Sequence, residues 1–459
     1  MNDRQNFDKT PEARDIEYHF HAYTNARRHQ EVGPMIIEGG EGIYVTDNEG
    51  RRYIEGMAGL WSVALGFNEP RLVQVAHEQL QKLPFYHNFG HKSNGPAIDL
   101  AEALVQVAPV PMSKVFYTNS GSEANDTVLK MVWYRSNALG KPEKKKVIAR
   151  NRAYHGVTIA SASLTGLPNN HRSFDLPLDR VLHTMAPHYW REGKPGESEE
   201  DFATRCATEL DALIQREGPD TVAAFWAEPV MGAGGVVVPP KTYYEKIQAV
   251  LAKYDILFVA DEVICGFGRT GQMFGSETMG IRPDVIVMSK QITSSYVPFS
   301  AIMVNDRVFD PIADESNRIG TFGHGFTAGG HPLGAAVALE NLRIIQERDL
   351  VTNAREVGTR FLNRLETLKD SPLLGEVRGV GMIAAIELVD DKDARTVKTP
   401  GVLGGLMNAA MQRNGLISRN MYDALAFCPP LIMTQDEADT MFEITAKSLR
   451  ETEKEVGLA

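Results

Sequence analysis

Cysteine is scarce in this sequence. Only Cys206, Cys265 and Cys428 occur among 459 residues, an odd number, widely spaced and without a CxxC pair, which excludes a disulfide scaffold and fits a reduced, cytoplasmic compartment. Long apolar runs are missing too. None approaches the roughly 20 residues of a spanning helix, and Met1 to Ala13 lacks the apolar stretch of a signal peptide. Positive charge is in deficit: 48 Lys and Arg against 59 Asp and Glu give a net charge of −11. That balance argues against a non-specific nucleic-acid binder and against attraction to anionic lipid. No self-similar period of 20–50 residues appears, so solenoids and propellers are excluded. The short charged clusters Glu143-Lys144-Lys145-Lys146 and Glu197 to Asp201 read as solvated surface. What remains is an ordinary globular composition, 43% hydrophobic and 23% charged, in a chain too long for one core.

The first ~65 residues carry a hairpin signal, Ile43-Tyr44-Val45 and Tyr53-Ile54 around the turn formers Asp47-Asn48-Glu49-Gly50. From about 70 to 330, short apolar runs alternate with helical stretches. The runs are Val115-Phe116-Tyr117, Val147-Ile148-Ala149, Val222 to Ala227, Ile256 to Ala260, Val285 to Met288 and Ala301 to Val304. Continuous apolar character suits strands buried on both faces, so an α/β unit with a largely parallel sheet is expected. A helix after Ser122 would place Ala124, Val128, Met131, Val132 and Arg135 along one side. Beyond 331 the pattern is helical, strand-like at Met382 to Val389, then helical again. The expected partition is residues 1–66 and 332–459 in a small α+β domain, with a large domain over 67–331.

Open α/β sheets bind ligands at the carboxyl ends of their strands. Five of the runs, expected to neighbour one another, end in chemistry. They lead into Thr118-Asn119-Ser120-Gly121-Ser122-Glu123, Tyr154-His155-Gly156, Glu228, Asp261-Glu262 and Ser289-Lys290. A Gly-Ser turn before a helix serves as an N-cap as readily as an anion site. Asp261 alone would suit a Mg²⁺ ligand of a phosphate-loop ATPase, but no GxxxxGK[ST] sequence accompanies it. Gly266 to Gly271 satisfies GxGxxG literally, yet it does not stand in a tight strand-to-helix turn, which removes the dinucleotide reading. No metal ligands are assigned. One cofactor uses a lysine, a carboxylate, a stacking ring and an anion pocket together, and that is pyridoxal phosphate. A carboxylate at its pyridine nitrogen keeps that nitrogen protonated.

The segments Asn119-Ser120-Gly121-Ser122-Glu123-Ala124, Tyr154-His155-Gly156, Ala227-Glu228-Pro229, Asp261-Glu262-Val263, Gly266 to Gly271, Ser289-Lys290 and Gly325-Phe326-Thr327 together resemble a class III aminotransferase of the fold-type I pyridoxal-phosphate enzymes. The resemblance implies a large domain with a seven-stranded, mostly parallel sheet and a small domain from both chain ends. It makes Lys290 the Schiff-base lysine and proton shuttle, Asp261 the partner of the pyridine nitrogen, and Tyr154 and Val263 the covers of the two ring faces. Gly121 and Ser122 would hold the phosphate, with His155, Glu228 and Phe326 adjoining the cofactor. Thr327 would reach across from a second subunit, implying a homodimer or a tetramer of such dimers. Within the family, Trp61, Tyr23, Phe89 and Ala233 resemble the pocket wall of the amine–pyruvate branch, and Arg419 its mobile, carboxylate-clamping arginine. The implied reaction is amino transfer from a primary amine or ω-amino acid to pyruvate. Its rivals are a 4-aminobutyrate- or diamine-type enzyme using 2-oxoglutarate, a fold-related decarboxylase or mutase, and a non-catalytic pyridoxal-phosphate-binding protein.

Overall fold

A computed structural model describes residues 9–458; residues 1–8, where the N-terminal expectations begin, and Ala459 lie outside the described residues. The hairpin forms as its turn residues dictate. Strands β1 (Ile37–Glu41), β2 (Tyr44–Asp47) and β3 (Arg52–Glu55) run antiparallel in turn. Asp47 Oδ1 accepts the N–H groups of Glu49 and Arg51 and so sets the turn.

The large sheet has seven strands: β4 (Lys114–Thr118), β5 (Lys146–Arg150), β6 (Val181–Thr184), β7 (Val222–Ala227), β8 (Leu257–Asp261), β9 (Val285–Met288) and β10 (Ser300–Val304). Their order is β4-β10-β9-β8-β7-β5-β6. All residues of β7, β8, β9 and β10 are buried, as continuous apolar runs require. Each fully buried Val, Ile or Phe there stabilises the sheet by about 1.5–3 kcal/mol. β10 alone runs against its neighbours, pairing antiparallel with both β4 and β9. The five chemistry-bearing strand ends are therefore not all neighbours, because β10 separates β4 from β9. β6, the seventh strand, was absent from the apolar runs because His183 and Thr184 dilute it.

The third sheet follows the order β11-β12-β15-β14, built from β11 (Leu374–Val380), β12 (Ile383–Leu388), β14 (Arg419–Met421) and β15 (Ala424–Phe427). Only β12 had a clear apolar signature. The two-residue strand β13 (Leu416–Ile417) pairs parallel with β3, Leu416 opposite Ile54, so the two ends of the chain share one sheet. One charged cluster departs from expectation. Lys144 and Lys145 are buried, their ammonium groups donating to the carbonyls of Tyr254 and Asp255 and to Asn137 Oδ1. A long apolar stem can be buried in this way while its charged head bonds to nearby oxygens. No helix among the described residues is long and apolar enough to cross a membrane.

Candidate active site

The first part of the site is the N-terminus of the helix Gly121–Ala138, which follows β4. Ser120 is its N-cap, with Oγ accepting the Glu123 N–H at 3.2 Å, so capping at this turn leaves room for an anion. The N–H groups of Gly121 and Ser122 stand in the first turn, where helix geometry leaves them without intrahelical acceptors. A side chain on Gly121 would bring its Cβ to 3.1 Å from Val263 Cγ2 and 3.6 Å from Ser289 Cβ. That close approach brings the helix start against the residues that follow β8 and β9. Gly156 is fixed by the same crowding: at φ +133° its Cβ would fall 2.5 Å from Ser122 Oγ.

Asp261 ends β8 and is buried. Its Oδ2 accepts from His155 Nδ1 at 2.8 Å and from Asn125 Nδ2 at 2.9 Å, and its Oδ1 accepts the Val263 N–H at 3.1 Å. Asn125 is held in turn, donating to the His155 carbonyl and accepting from Trp226 Nε1. The carboxylate is thus oriented from three sides, and Oδ1 retains a lone pair for a further donor. Asn125 was missed by sequence reasoning. Its signal was a polar residue on the helix face otherwise formed by Ala124, Val128 and Val132.

Lys290 follows β9 in the short turn Lys290–Thr293, with φ +48°. Ser294 and Ser295 are left-handed as well, and each such residue costs of order 1–3 kcal/mol. The turn is clamped by groups the sequence did not reveal. Gln291 donates to the Ile264 and Gly266 carbonyls and accepts from buried Arg269, and Asn341 donates to the carbonyls of Gln291 and Ile292. Arg269 lies in the GxGxxG segment, which packs as a buried turn rather than a strand-to-helix loop. Among the described residues nothing hydrogen-bonds Lys290 Nζ. Burial holds its amine below the ordinary lysine range, while Asp261 and Glu228 pull the other way.

Glu228, at the end of β7, is buried and pushed up by that burial. It accepts the Tyr154 N–H at 3.0 Å through Oε1 and the Gly232 N–H at 3.0 Å through Oε2. It therefore fixes both the loop carrying Tyr154 and the turn carrying half-buried Ala233. Tyr154 is half-buried; burial first, then Tyr23, raises its phenol. Arg419, on β14, acts electrostatically on both Tyr154 and Lys290, and its guanidinium lies 5.9 Å from the Tyr23 ring centroid. Tyr23 is 63% exposed and donates to Asn170 Oδ1 at 2.7 Å. Trp61 is buried in an apolar cluster with Ile264, Cys265 and Cys428, and Cys428 lies close enough for its thiol to respond to Lys290.

Phe89, Phe326 and Thr327 gather elsewhere. A Cβ on Gly325 would meet Phe89 Cε1 at 2.4 Å, Phe326 is half-buried and Thr327 is exposed. Among the described residues, none of their hydrogen bonds or ring contacts joins them to Lys290, Asp261 or Tyr154.

Glu262 turns away from this constellation. It accepts from the Gly275 and Ser276 N–H groups and from Ser276 Oγ, and burial pushes its carboxyl up to about 7. A raised carboxyl means the folded state keeps its proton after the unfolded chain has lost it. Stability from this group is therefore lost as pH rises. In denaturation series from pH 4 to 8, the stability of the wild type relative to Glu262→Gln should decline between about 4.5 and 7 and then level off. A flat difference would contradict the assignment.

The site residues fit pyridoxal phosphate: an anion-ready helix start touching Val263 and Ser289, an oriented carboxylate, a free lysine amine and an aromatic loop. The comparisons agree. A family model described as aminotransferase class-III matches residues 24–449. The ω-transaminase of Pseudomonas jessenii, solved in complex with PMP, is 58% identical with a TM-score of 0.98, over 98% of this chain and 100% of that one. A transaminase solved with L-alanine is 64% identical with a TM-score of 0.91, over 92% of this chain and 100% of that one. Gamma aminobutyrate transaminase 1, mitochondrial, of Solanum lycopersicum is 51% identical over 95% of this chain and 85% of its own length. The chain belongs to the class III aminotransferases and is a pyridoxal-phosphate-dependent enzyme.

Proposed function

We propose that this aminotransferase moves an amino group from a primary amine or ω-amino acid to pyruvate, giving a carbonyl product and alanine. The observation that carries the reading is Arg419. It acts on Lys290 and Tyr154, rests against the Tyr23 ring, and pairs with no carboxylate among the described residues. An unpaired guanidinium there can clamp a substrate carboxylate in a bidentate pair and move aside for an uncharged amine. L-alanine, with which one similar enzyme was solved, is the aminated form of pyruvate. The names of the curated relatives favour a second reading, 4-aminobutyrate as donor, here with 2-oxoglutarate as acceptor.

Bound pyridoxal phosphate supplies an electrophilic carbon for the amine and a ring that accepts an electron pair. Gly121 and Ser122 hold its phosphate through the helix start. Asp261, steadied by His155 and Asn125, keeps the ring nitrogen protonated, and Tyr154 and Val263 cover the ring. Lys290 Nζ, kept neutral more readily by its burial, takes and returns the proton that amino transfer moves. Trp61, Tyr23, Ala233 and, from a second copy, Phe89 border the substrate. Thr327 and Phe326 complete the phosphate end across a homodimer interface. Supporting that assembly, Phe85, Tyr86 and Phe89 are 41–47% exposed, and Phe89 stands against Gly325, two residues before Thr327, an apolar surface suited to a second copy. The three cysteines are free and buried, in keeping with the cytoplasm. The division at 66/67 and 331/332 belongs to this reading.

Stopped-flow reoxidation of the pyridoxamine form tests the acceptor: pyruvate should react faster than 2-oxoglutarate and yield alanine, and the reverse order would favour the second reading. Arg419→Leu should raise KM for pyruvate and β-alanine roughly ten- to a hundred-fold, the worth of charge-assisted hydrogen bonds, and leave KM for an uncharged arylamine nearly unchanged.

A further inference from the structure

Near the N-terminus, three imidazoles converge on one carboxylate. Asp15 Oδ2 lies 3.0 Å from His19 Nδ1, and Asp15 Oδ1 lies 2.8 Å from His21 Nε2 and 2.9 Å from His29 Nε2. The ring centroids of His19 and His21 are 4.2 Å apart, and those of His21 and His29 4.1 Å. We propose that Asp15, His19, His21 and His29 bind one divalent transition-metal ion of the Zn²⁺ or Co²⁺ type, which ties down the segment bordering the active site.

Three local structures make this set. Asp15 and His19 are one turn apart at the end of the helix Pro11–Tyr18, His21 follows two residues later, and His29 returns from the last turn of the helix Ala26–Val32. Read as sequence, these histidines carry no familiar ligand spacing, so only the fold assembles them. Donor atoms of Asp15, His19 and His21 already lie within 4.8 Å of one another. Four ligands at Zn–N and Zn–O distances of about 2.0–2.1 Å stand roughly 3.3 Å apart, so the Asp15 contacts of 2.8–3.0 Å would open slightly and the ring nitrogens, His29 from outside that group of three, would draw in around the ion.

The chemistry is apt. Asp15 offers two carboxylate oxygens already ringed by three imidazole nitrogens. A neutral ring whose proton moves to its other nitrogen presents a lone pair to the centre. Imidazole with carboxylate suits Zn²⁺ and its neighbours rather than Mg²⁺ or Ca²⁺. A second group of similar composition, His188, Glu376 and Glu387, differs decisively. Arg191 and Arg378 already pair with its carboxylates, so it is a closed ion-pair network.

The location gives the ion a task. Tyr23 comes two residues after His21, donates to Asn170 and lies beneath Arg419. An ion at this cluster would hold Tyr23 against the substrate arginine.

The test uses the untagged, cofactor-loaded full chain in its pyridoxamine form, stripped with chelator and titrated with Co²⁺ alone. The intense visible bands of four-coordinate Co²⁺ should grow to one ion per chain and be displaced by Zn²⁺. His21→Gln should weaken binding at least tenfold and abolish those bands, while exposed His77→Gln keeps them. If His21→Gln misfolds by circular dichroism, His19→Gln, altered at a largely exposed side chain, serves instead. A wild type showing only the pale spectrum of hydrated Co²⁺, or bands that persist in the folded histidine variant, would overturn the proposal.

Discussion

Lys290→Ala should lower transamination on the order of 10²–10⁴-fold, the range lost with a positioned proton-transfer group. The lysine stands in a strained turn fixed by Gln291 and Asn341, and its amine has no hydrogen-bond partner among the described residues. Nothing else in the immediate neighbourhood offers an amine: Arg419 cannot lose its proton at working pH. The variant should still bind pyridoxal phosphate through the helix start, so loss of turnover and retention of cofactor can be read on one sample. The visible absorbance of a lysine-linked cofactor should vanish. Turnover surviving in a preparation free of wild-type enzyme would remove Lys290 from the mechanism.

Asp261→Asn is expected to lower kcat about 10²–10³-fold, the cost of losing one preorganised electrostatic partner in a dry site. The substitution keeps the volume and the bond from the Val263 N–H but removes the charge proposed to hold a proton on the ring nitrogen. It also places an amide next to His155 Nδ1 and Asn125 Nδ2, both now oriented to donate to a carboxylate. Cofactor affinity should fall less than kcat, because the helix start proposed to hold the phosphate is left unchanged. Equal activity in Asp261→Asn and wild type would show that the ring nitrogen needs no anionic partner. Glu262→Gln is the natural comparison. Its neighbouring carboxyl caps a helix and should leave kcat largely intact.

These residues were legible because strands buried on both faces read as unbroken apolar runs, and the chemistry follows each run directly. Asp261, Lys290 and the Gly121 turn needed nothing more. What the runs do not encode is the order in which strands pair, so the intrusion of β10 between β4 and β9 was invisible. β6 escaped because an edge strand need not be apolar along its whole length. Lys144 and Lys145 misled because a long side chain can bury its stem while satisfying its head locally. Asn125, Gln291 and Asn341 are supports whose partners lie on other elements, and His19, His21 and His29 meet only through the return of a second helix. Long-range polar contacts leave no periodic trace.

The pairing of β13 with β3 has a consequence for the birth of the molecule. Ile54 and Leu416 meet across about 360 residues of chain. At a synthesis rate of about 5–20 residues per second, roughly 18–70 s pass between them at the ribosome. Through that interval the outer edge of β3 has no strand to pair with and offers bare N–H and C=O groups to other nascent chains. Arg419 emerges only two residues after β13, so the arginine proposed to meet the substrate and the strand that closes this sheet edge leave the ribosome together.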